Sequence, residues 1–272
     1  MLQLSKFYEQ CFRNYLKKSS NFCPVEFFSF IREQRLQLSK KSFSHYIDQW
    51  LWTDRAELID GPHIDENLKR KIILGLHLKN KIFGTYKTTI DLLRPMIEDI
   101  NRNENRPARL LEIGSGSGQL SFALYEELKR TNLKFELTGS DIVETYIEHA
   151  NQDALKNKLP MTFKKIDAFH LEHLEENSYD IVFCLHGLHH FDPSQLSRIM
   201  AGTFKVANVA FVGVDGYRGI FNLLFMIISG AFKSLLEGNF AFLHDSIISG
   251  RKLYAAKQLE LLSRLSCPLS RV

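Results

Sequence analysis

A run of small residues interrupts the chain between Leu110 and Leu124, LLEIGSGSGQLSFAL, with glycine at every second position. Glycine is unfavourable inside regular structure and favourable where backbone turns hard or approaches a ligand closely. The flanks say which turn this is. Ala108 to Ile113 is a short apolar run with one acid, long enough for a buried strand and too short for a helix. From Gly118 to Arg130, Leu120, Leu124 and Leu128 recur near helical spacing, with Glu126, Glu127, Lys129 and Arg130 on the other side. The glycines therefore make a strand-to-helix turn. Its helix N-terminus offers free backbone N–H groups and a partial positive charge to a polar or anionic ligand.

The dinucleotide fingerprint GxGxxG does not fit, because Gly114, Gly116 and Gly118 make GxGxG and Gln119 stands where glycine or alanine is needed. Glu112, at the carboxyl end of the strand, would repel a pyrophosphate and welcome a cation. Downstream the pattern repeats. Lys134 to Ser140 alternates like a strand and ends at Asp141, and Val143 to Lys156 follows as an amphipathic helix. An acid at that tip suits two ribose hydroxyls, and it suits a helix N-cap equally well. Thr162 to Ile166 is a third strand ending at Asp167, Tyr179 to Leu185 a nearly continuous apolar fourth, and Asn208 to Val214 a fifth. The series predicts an α/β, Rossmann-like, doubly wound and mainly parallel sheet, with ligands outside the carboxyl ends of its strands.

ExGxGxG at Glu112 to Gly118, followed by acids at the next strand tips, resembles motif I and its sequel in the class I S-adenosylmethionine-dependent methyltransferases. YDIVFCLHGLHHF, from Tyr179 to Phe191, is similar to the motif IV region of their small-molecule members. The Asn or Asp, two prolines and aromatic of nucleic-acid amino-methyltransferases are absent there. The resemblance implies S-adenosyl-L-methionine as cofactor, met by Glu112, Gly114, Ser115, Gly116 and Gly118 at the turn, by Asp141 and Ile142, by Asp167 with the backbone of Ala168 at the adenine, and by Leu185. It covers residues 108 to 214 well and 54 to 254 loosely. AELIDGPHID, from Ala56, and HDSIISGRKLY, from His244, resemble segments of one bacterial subgroup, with Ser246 where glycine is more usual.

A hydroxyl acceptor must lose a proton as it takes a methyl group, and histidine is the side chain suited to that near neutral pH. His189 is the first candidate, with His186 and His190 behind it, although all three also suit a helix cap or a pocket wall. Tyr217 and Arg218, after the fifth strand, are candidates to orient the acceptor. No metal site is expected, since the adjacent His189 and His190 should point apart and no carboxylate or thiolate has matching spacing nearby.

The hundred residues before the sheet read as helices at 3 to 18, 24 to 37, 65 to 83 and Thr88 to Ile100, the last to be bent or restarted by Pro95. We expect a helical region over 1–105 that covers the site and a cofactor-binding domain over 106–272, with an apolar substrate wall or lid inserted at 216–250. The uncharged run Gly219 to Phe232 has 14 residues, short of the roughly 20 that span a bilayer, and reads as a buried helix or a lid. Contact with a membrane surface stays open. After it come a helix from Ala255 to Leu265 and only CPLSRV, so the last one or two strands of the seven-stranded family sheet are expected to be missing.

Cys11, Cys23, Cys184 and Cys267 have no CxxC spacing, and MLQLSKFYEQCFRNYLKK breaks its apolar residues with charges, which together predict a reduced, cytoplasmic protein without a secretory signal. A net charge of +4 spread without clusters predicts no nucleic-acid partner. The sequence leaves the oligomeric state open. The reading is methyl transfer to a small, largely apolar hydroxylated acceptor such as a phenol, quinol, polyketide or isoprenoid. A non-catalytic module that retains the cofactor is the alternative, and an RNA or protein methyltransferase stands behind it.

Overall fold

A computed structural model describes residues 51–58, 61 and 66–266. The helices expected at 3 to 18 and 24 to 37, and the terminal CPLSRV, lie outside the described residues, as do Cys11, Cys23 and Cys267. Helices α1 (Glu66–Ile82) and α2 (Thr85–Glu104) come first, separated by Gly84 at φ +68°. α2 runs through Pro95 and buries Leu93 and Ile97 completely. Then follow β1 (Ala108–Ile113), α3 (Gln119–Leu128), β2 (Phe135–Asp141), α4 (Glu144–Lys156), β3 (Met161–Lys165), β4 (Tyr179–Leu185), α5 (Pro193–Val206) and β5 (Ala207–Val214). Helices α6 (Ile220–Glu237), α7 (Ala241–Lys252) and α8 (Ala256–Ser266) close the described chain.

The five strands are all parallel, in the order β3-β2-β1-β4-β5. Successive side chains of a strand point to opposite faces, and here both faces are covered. Leu110, Ile181 and Phe183 enter a core with α2, α3 and α4, while Leu111, Val182 and Cys184 enter a second core with α5, Tyr254 and Leu262. This explains the continuous apolar runs of β1 and β4. The order reverses between β1 and β4, so the crevice of the doubly wound sheet opens at their carboxyl ends. Among the described residues the sheet ends at β5, with no antiparallel hairpin beyond it.

At the opposite end of the same two strands, Asp180 is fully buried and accepts from Arg106 Nη1 at 2.6 Å, from Arg109 N at 2.8 Å and from Arg109 Nη2 at 2.9 Å. The two guanidinium groups and the Arg109 amide hold its carboxyl far below the usual range, although burial alone would raise it.

Of the two expectations for the apolar run after β5, the buried helix is not what forms. The run belongs to an 18-residue helix, and that helix is not buried in the fold. α6 packs one side on α7, where a side chain at Gly230 would strike Ser246, and turns a stripe of large apolar residues outward.

Candidate active site

The turn after β1 is built by left-handed backbone at Gly114 (φ +67°), Gly116 (φ +53°) and Gly118 (φ +80°). They serve different ends. A side chain at Gly118 would strike the Phe163 ring at 2.6 Å, so that glycine lets the turn pack against β3. Side chains at Gly114 and Gly116 would meet nothing within 4 Å, so those two face open space. Ser115 N donates to Ser140 O at 2.8 Å and Gly116 N to Asp141 Oδ2 at 2.9 Å, tying the turn to the tip of β2. The buried Ser115 hydroxyl has no hydrogen-bond partner, and a cradle with two glycines over open space and an orphaned hydroxyl fits a polar ligand.

Asp141 does not cap α4 as an N-cap residue, since Val143 holds that position. Its other oxygen accepts from Val143 N at 2.9 Å, and each oxygen keeps a lone pair for a ligand. Ile142, beside it, is exposed. Asp167 lies two residues beyond β3 and caps the short helix Ala168–His173, accepting from Phe169 N at 2.8 Å and pairing with His170 Nδ1 at 2.8 Å. Those partners outweigh its slight burial and hold its carboxyl below the usual range.

Glu112 is buried beneath the turn and accepts from Ser121 Oγ at 2.5 Å. Burial pushes its carboxyl up to about 8; Ser121 opposes the shift and Asp141 adds to it. Folded Glu112 is therefore protonated at neutral pH, whereas an unfolded glutamic acid ionises near pH 4.3. Its folded value is raised, so stability falls as pH climbs from about 4.5 to about 8. Glu112→Gln should raise the melting temperature at pH 7.5, by about 2 to 4 kcal/mol of stability, with the gain shrinking towards pH 5. Melts at three pH values check this; a pH-independent difference would refute it.

At the carboxyl ends of β4 and β5, Leu185 leads into His186, whose φ of +52° turns the chain into the short helix Leu188–His190. Asp215, just past β5, is buried and accepts from His189 N at 3.1 Å while pairing with His189 Nδ1 at 2.8 Å and His186 Nδ1 at 3.4 Å. Burial would raise this carboxyl, and the two histidines outweigh it and hold it far below the usual range. The pairing orients the buried His189 ring so that Nε2 faces away from Asp215.

What faces Nε2 comes from far off in the chain. Glu57 Oε1 stands 3.7 Å from His189 Nε2, 3.9 Å from His190 Nδ1 and 3.5 Å from Lys252 Nζ, and this buried oxygen has no hydrogen-bond partner. Its other oxygen accepts from Ser249 Oγ at 2.6 Å. α7 fastens the segment that carries Glu57: Leu58 N donates to Asp245 Oδ1 at 2.7 Å, and Arg251 Nε donates to Leu51 O at 2.8 Å. The two sequence segments flagged only by weak resemblance, around Glu57 and from His244 to Tyr254, thus meet at the histidines.

Two expectations are corrected here. His189 and His190 do not point apart, since the tight turn sets their ring centroids 4.5 Å from each other. A carboxylate also stands nearby, and Glu57, His189 and His190 bring three donor atoms within 4.8 Å. Lys252 supplies positive charge to the same oxygen of Glu57. Tyr217 is not brought to this cluster: the residue is 63% exposed. Arg218 is turned towards α8, donating to Gln258 Oε1 at 2.8 Å. Sequence reasoning missed Glu57, Ser249 and Lys252 and gave Asp215 no role; the one available signal was the weak likeness of their segments.

Residues 110–209 match the family described as "Methyltransferase domain". Residues 110–209 thus carry a methyltransferase domain. A demethylmenaquinone methyltransferase of Deinococcus radiodurans is 27% identical over 153 residues, which cover 53% of this chain and 61% of that protein. An S-adenosyl-L-methionine-dependent Diels-Alderase of Talaromyces variabilis is 30% identical over 102 residues, covering 36% of this chain and 32% of the relative. The chain thus matches less than two thirds of the length of either. Among solved structures, the plantazolicin methyltransferase BamL, determined with a triazolic desmethyl analogue and S-adenosylhomocysteine, superposes at a TM-score of 0.51 with 19% identity, over 74% of this chain and 68% of that one. That likeness concerns the fold. The glycine turn and the His189–Asp215 pair of this methyltransferase domain lie at the carboxyl ends of neighbouring strands β1, β4 and β5.

Proposed function

We propose that the protein transfers a methyl group from S-adenosyl-L-methionine to a hydroxyl of a small, largely apolar acceptor of phenol, quinol, polyketide or isoprenoid type. The observation that carries this reading is the Asp215–His189–Glu57 arrangement beside the glycine turn. When bound, the sulfonium supplies an electrophilic methyl carbon. Glu112, Gly114, Ser115, Gly116 and Gly118 would hold its amino-acid part, Asp141 and Ile142 the ribose, and Asp167, Ala168 and Leu185 the adenine. Burial raises the Glu112 carboxyl, and an ammonium beside it would favour its ionised form.

At the acceptor, His189 Nε2 would take the hydroxyl proton while Nδ1–H donates to Asp215, leaving the oxygen to receive the methyl group that the bound sulfonium would supply. Asp215 stabilises the imidazolium so formed. Lys252 and Glu57 supply a charge pair around the acceptor oxygen. Alignment in a dry site contributes most of the acceleration, up to about 7 to 11 kcal/mol in favourable cases. The relative named a demethylmenaquinone methyltransferase is consistent with an apolar, quinone-like acceptor.

The test is transfer of isotope-labelled methyl to a panel of phenols and naphthoquinols. His189→Ala should lower the rate about 10² to 10⁴-fold with S-adenosylhomocysteine affinity unchanged. Undiminished transfer would remove His189 from the reaction. The name of the Talaromyces relative favours a second reading, in which the cofactor is held for another reaction; binding without any labelled product would support that reading instead.

A further inference from the structure

We propose that α6 and α1 together form a docking face for an anionic membrane surface. The outward stripe of α6 runs through Phe221, Leu224, Phe225, Ile228, Phe232 and Leu235, which recur at helical spacing and leave one side of the helix apolar along its whole length. Phe221 is 85% exposed, Leu235 83% and the following Phe240 82%. Large apolar side chains exposed in one contiguous row mark an interaction surface.

α1 lies antiparallel along this helix. Lys71 pairs with Glu237 at 3.5 Å, Gly75 lies against Lys233, Lys79 sits 5.8 Å from the Phe225 ring centre, and Phe83 meets Phe225 edge-on at 5.4 Å. α1 carries the described Lys71, Lys79 and Lys81, and exposes Leu76, Leu78 and Ile82 as well. An apolar helix flanked by a basic one matches the acyl boundary and the anionic headgroups of a bilayer respectively. A second copy of the chain would bring like charges together.

The helix lies in the plane rather than across the bilayer. By length and composition α6 is long enough to cross, yet α7 packs along its other side and fastens the 51–58 segment to the active-site cluster, which a crossing would tear apart. Docked this way, α6 would begin at the lipid only five residues after Asp215, the carboxylate that holds His189.

Sedimentation of the full chain with phosphatidylcholine vesicles containing a quarter phosphatidylglycerol tests this without cofactor or acceptor. Binding is expected to such vesicles and to fall at least about tenfold on phosphatidylcholine alone or in raised salt. The combined substitution Phe221→Ser, Phe232→Ser and Leu235→Ser should weaken it at least about a hundredfold with the melt unchanged. Lys71→Gln with Lys81→Gln should weaken it about 25-fold. Absence of vesicle binding by the parent, or binding untouched by these variants, overturns the proposal. So does a solution dimer that the triple variant splits, or a triple variant that melts early, which would assign the face to a second copy or to the chain's own packing.

Discussion

Calorimetric titration of Gly116→Val with S-adenosylhomocysteine is expected to show no heat of binding at concentrations where the parent saturates. Gly116 has φ +53°, a left-handed conformation that costs an ordinary L-residue about 1 to 2 kcal/mol, and a β-branched one is a genuine outlier there. Valine has two ways to respond. It stays in place and fills the open space above the turn, or it relaxes the backbone and breaks the Gly116 N–H bond to Asp141. Either response removes something the cofactor is proposed to need. A Cβ at 116 meets no protein atom within 4 Å, so the cost to the fold falls mainly on the backbone. Affinity should therefore fall by far more than stability, which a parallel melt records. Gly118→Val is the contrasting variant: its side chain would press on Phe163, and stability should fall first. Unaltered affinity in Gly116→Val would end the assignment of this turn to the cofactor.

Asp180→Ala is expected to lose about 3 kcal/mol or more of stability while folded molecules keep their S-adenosylhomocysteine affinity. The carboxylate is fully buried and gathers Arg106, Arg109 and the Arg109 amide at the amino ends of β1 and β4. Removing one partner of a buried pair leaves the others uncompensated, at typically 3 to 5 kcal/mol. Arg106 and Arg109 are each about a third exposed, and water that reaches them places the loss at the lower end. Against a total of about 5 to 15 kcal/mol this is a large fraction. The pH dependence has a definite sign. The folded carboxyl is held below its unfolded value, so the stabilisation is present above the ordinary carboxylate range, near pH 4, and drains away as pH falls below it. A denaturant titration at pH 7 checks the first statement; a midpoint equal to the parent's would show that the cluster contributes nothing.

The expected strands and the helices between them were legible because both signals are local. Alternation and helical spacing need only a dozen neighbouring residues, and the observed bounds, such as Ala108–Ile113 for β1 and Tyr179–Leu185 for β4, agree with those read from the sequence. The apolar run after β5 shows where that logic stops. Apolar spacing says that a face seeks cover, not that the chain supplies it, and α6, with α7 and α1 beside it, still turns an apolar row outward.

By itself the sequence determined the parallel α/β order, the glycine turn after β1 and the acids at the strand tips, because these depend on backbone conformations that particular residue types favour locally. Only the tertiary structure decided that Glu57 faces His189, that Ser249 and Lys252 hold Glu57 from α7, and that Asp215 orients the ring. Those contacts join positions up to 195 residues apart, as between Glu57 and Lys252, and no spacing rule reaches across such a separation. The rings of His189 and His190 make the same point at short range. Adjacent residues diverge in extended chain, and the tight turn that His186 begins, anchored by Asp215, sets them side by side.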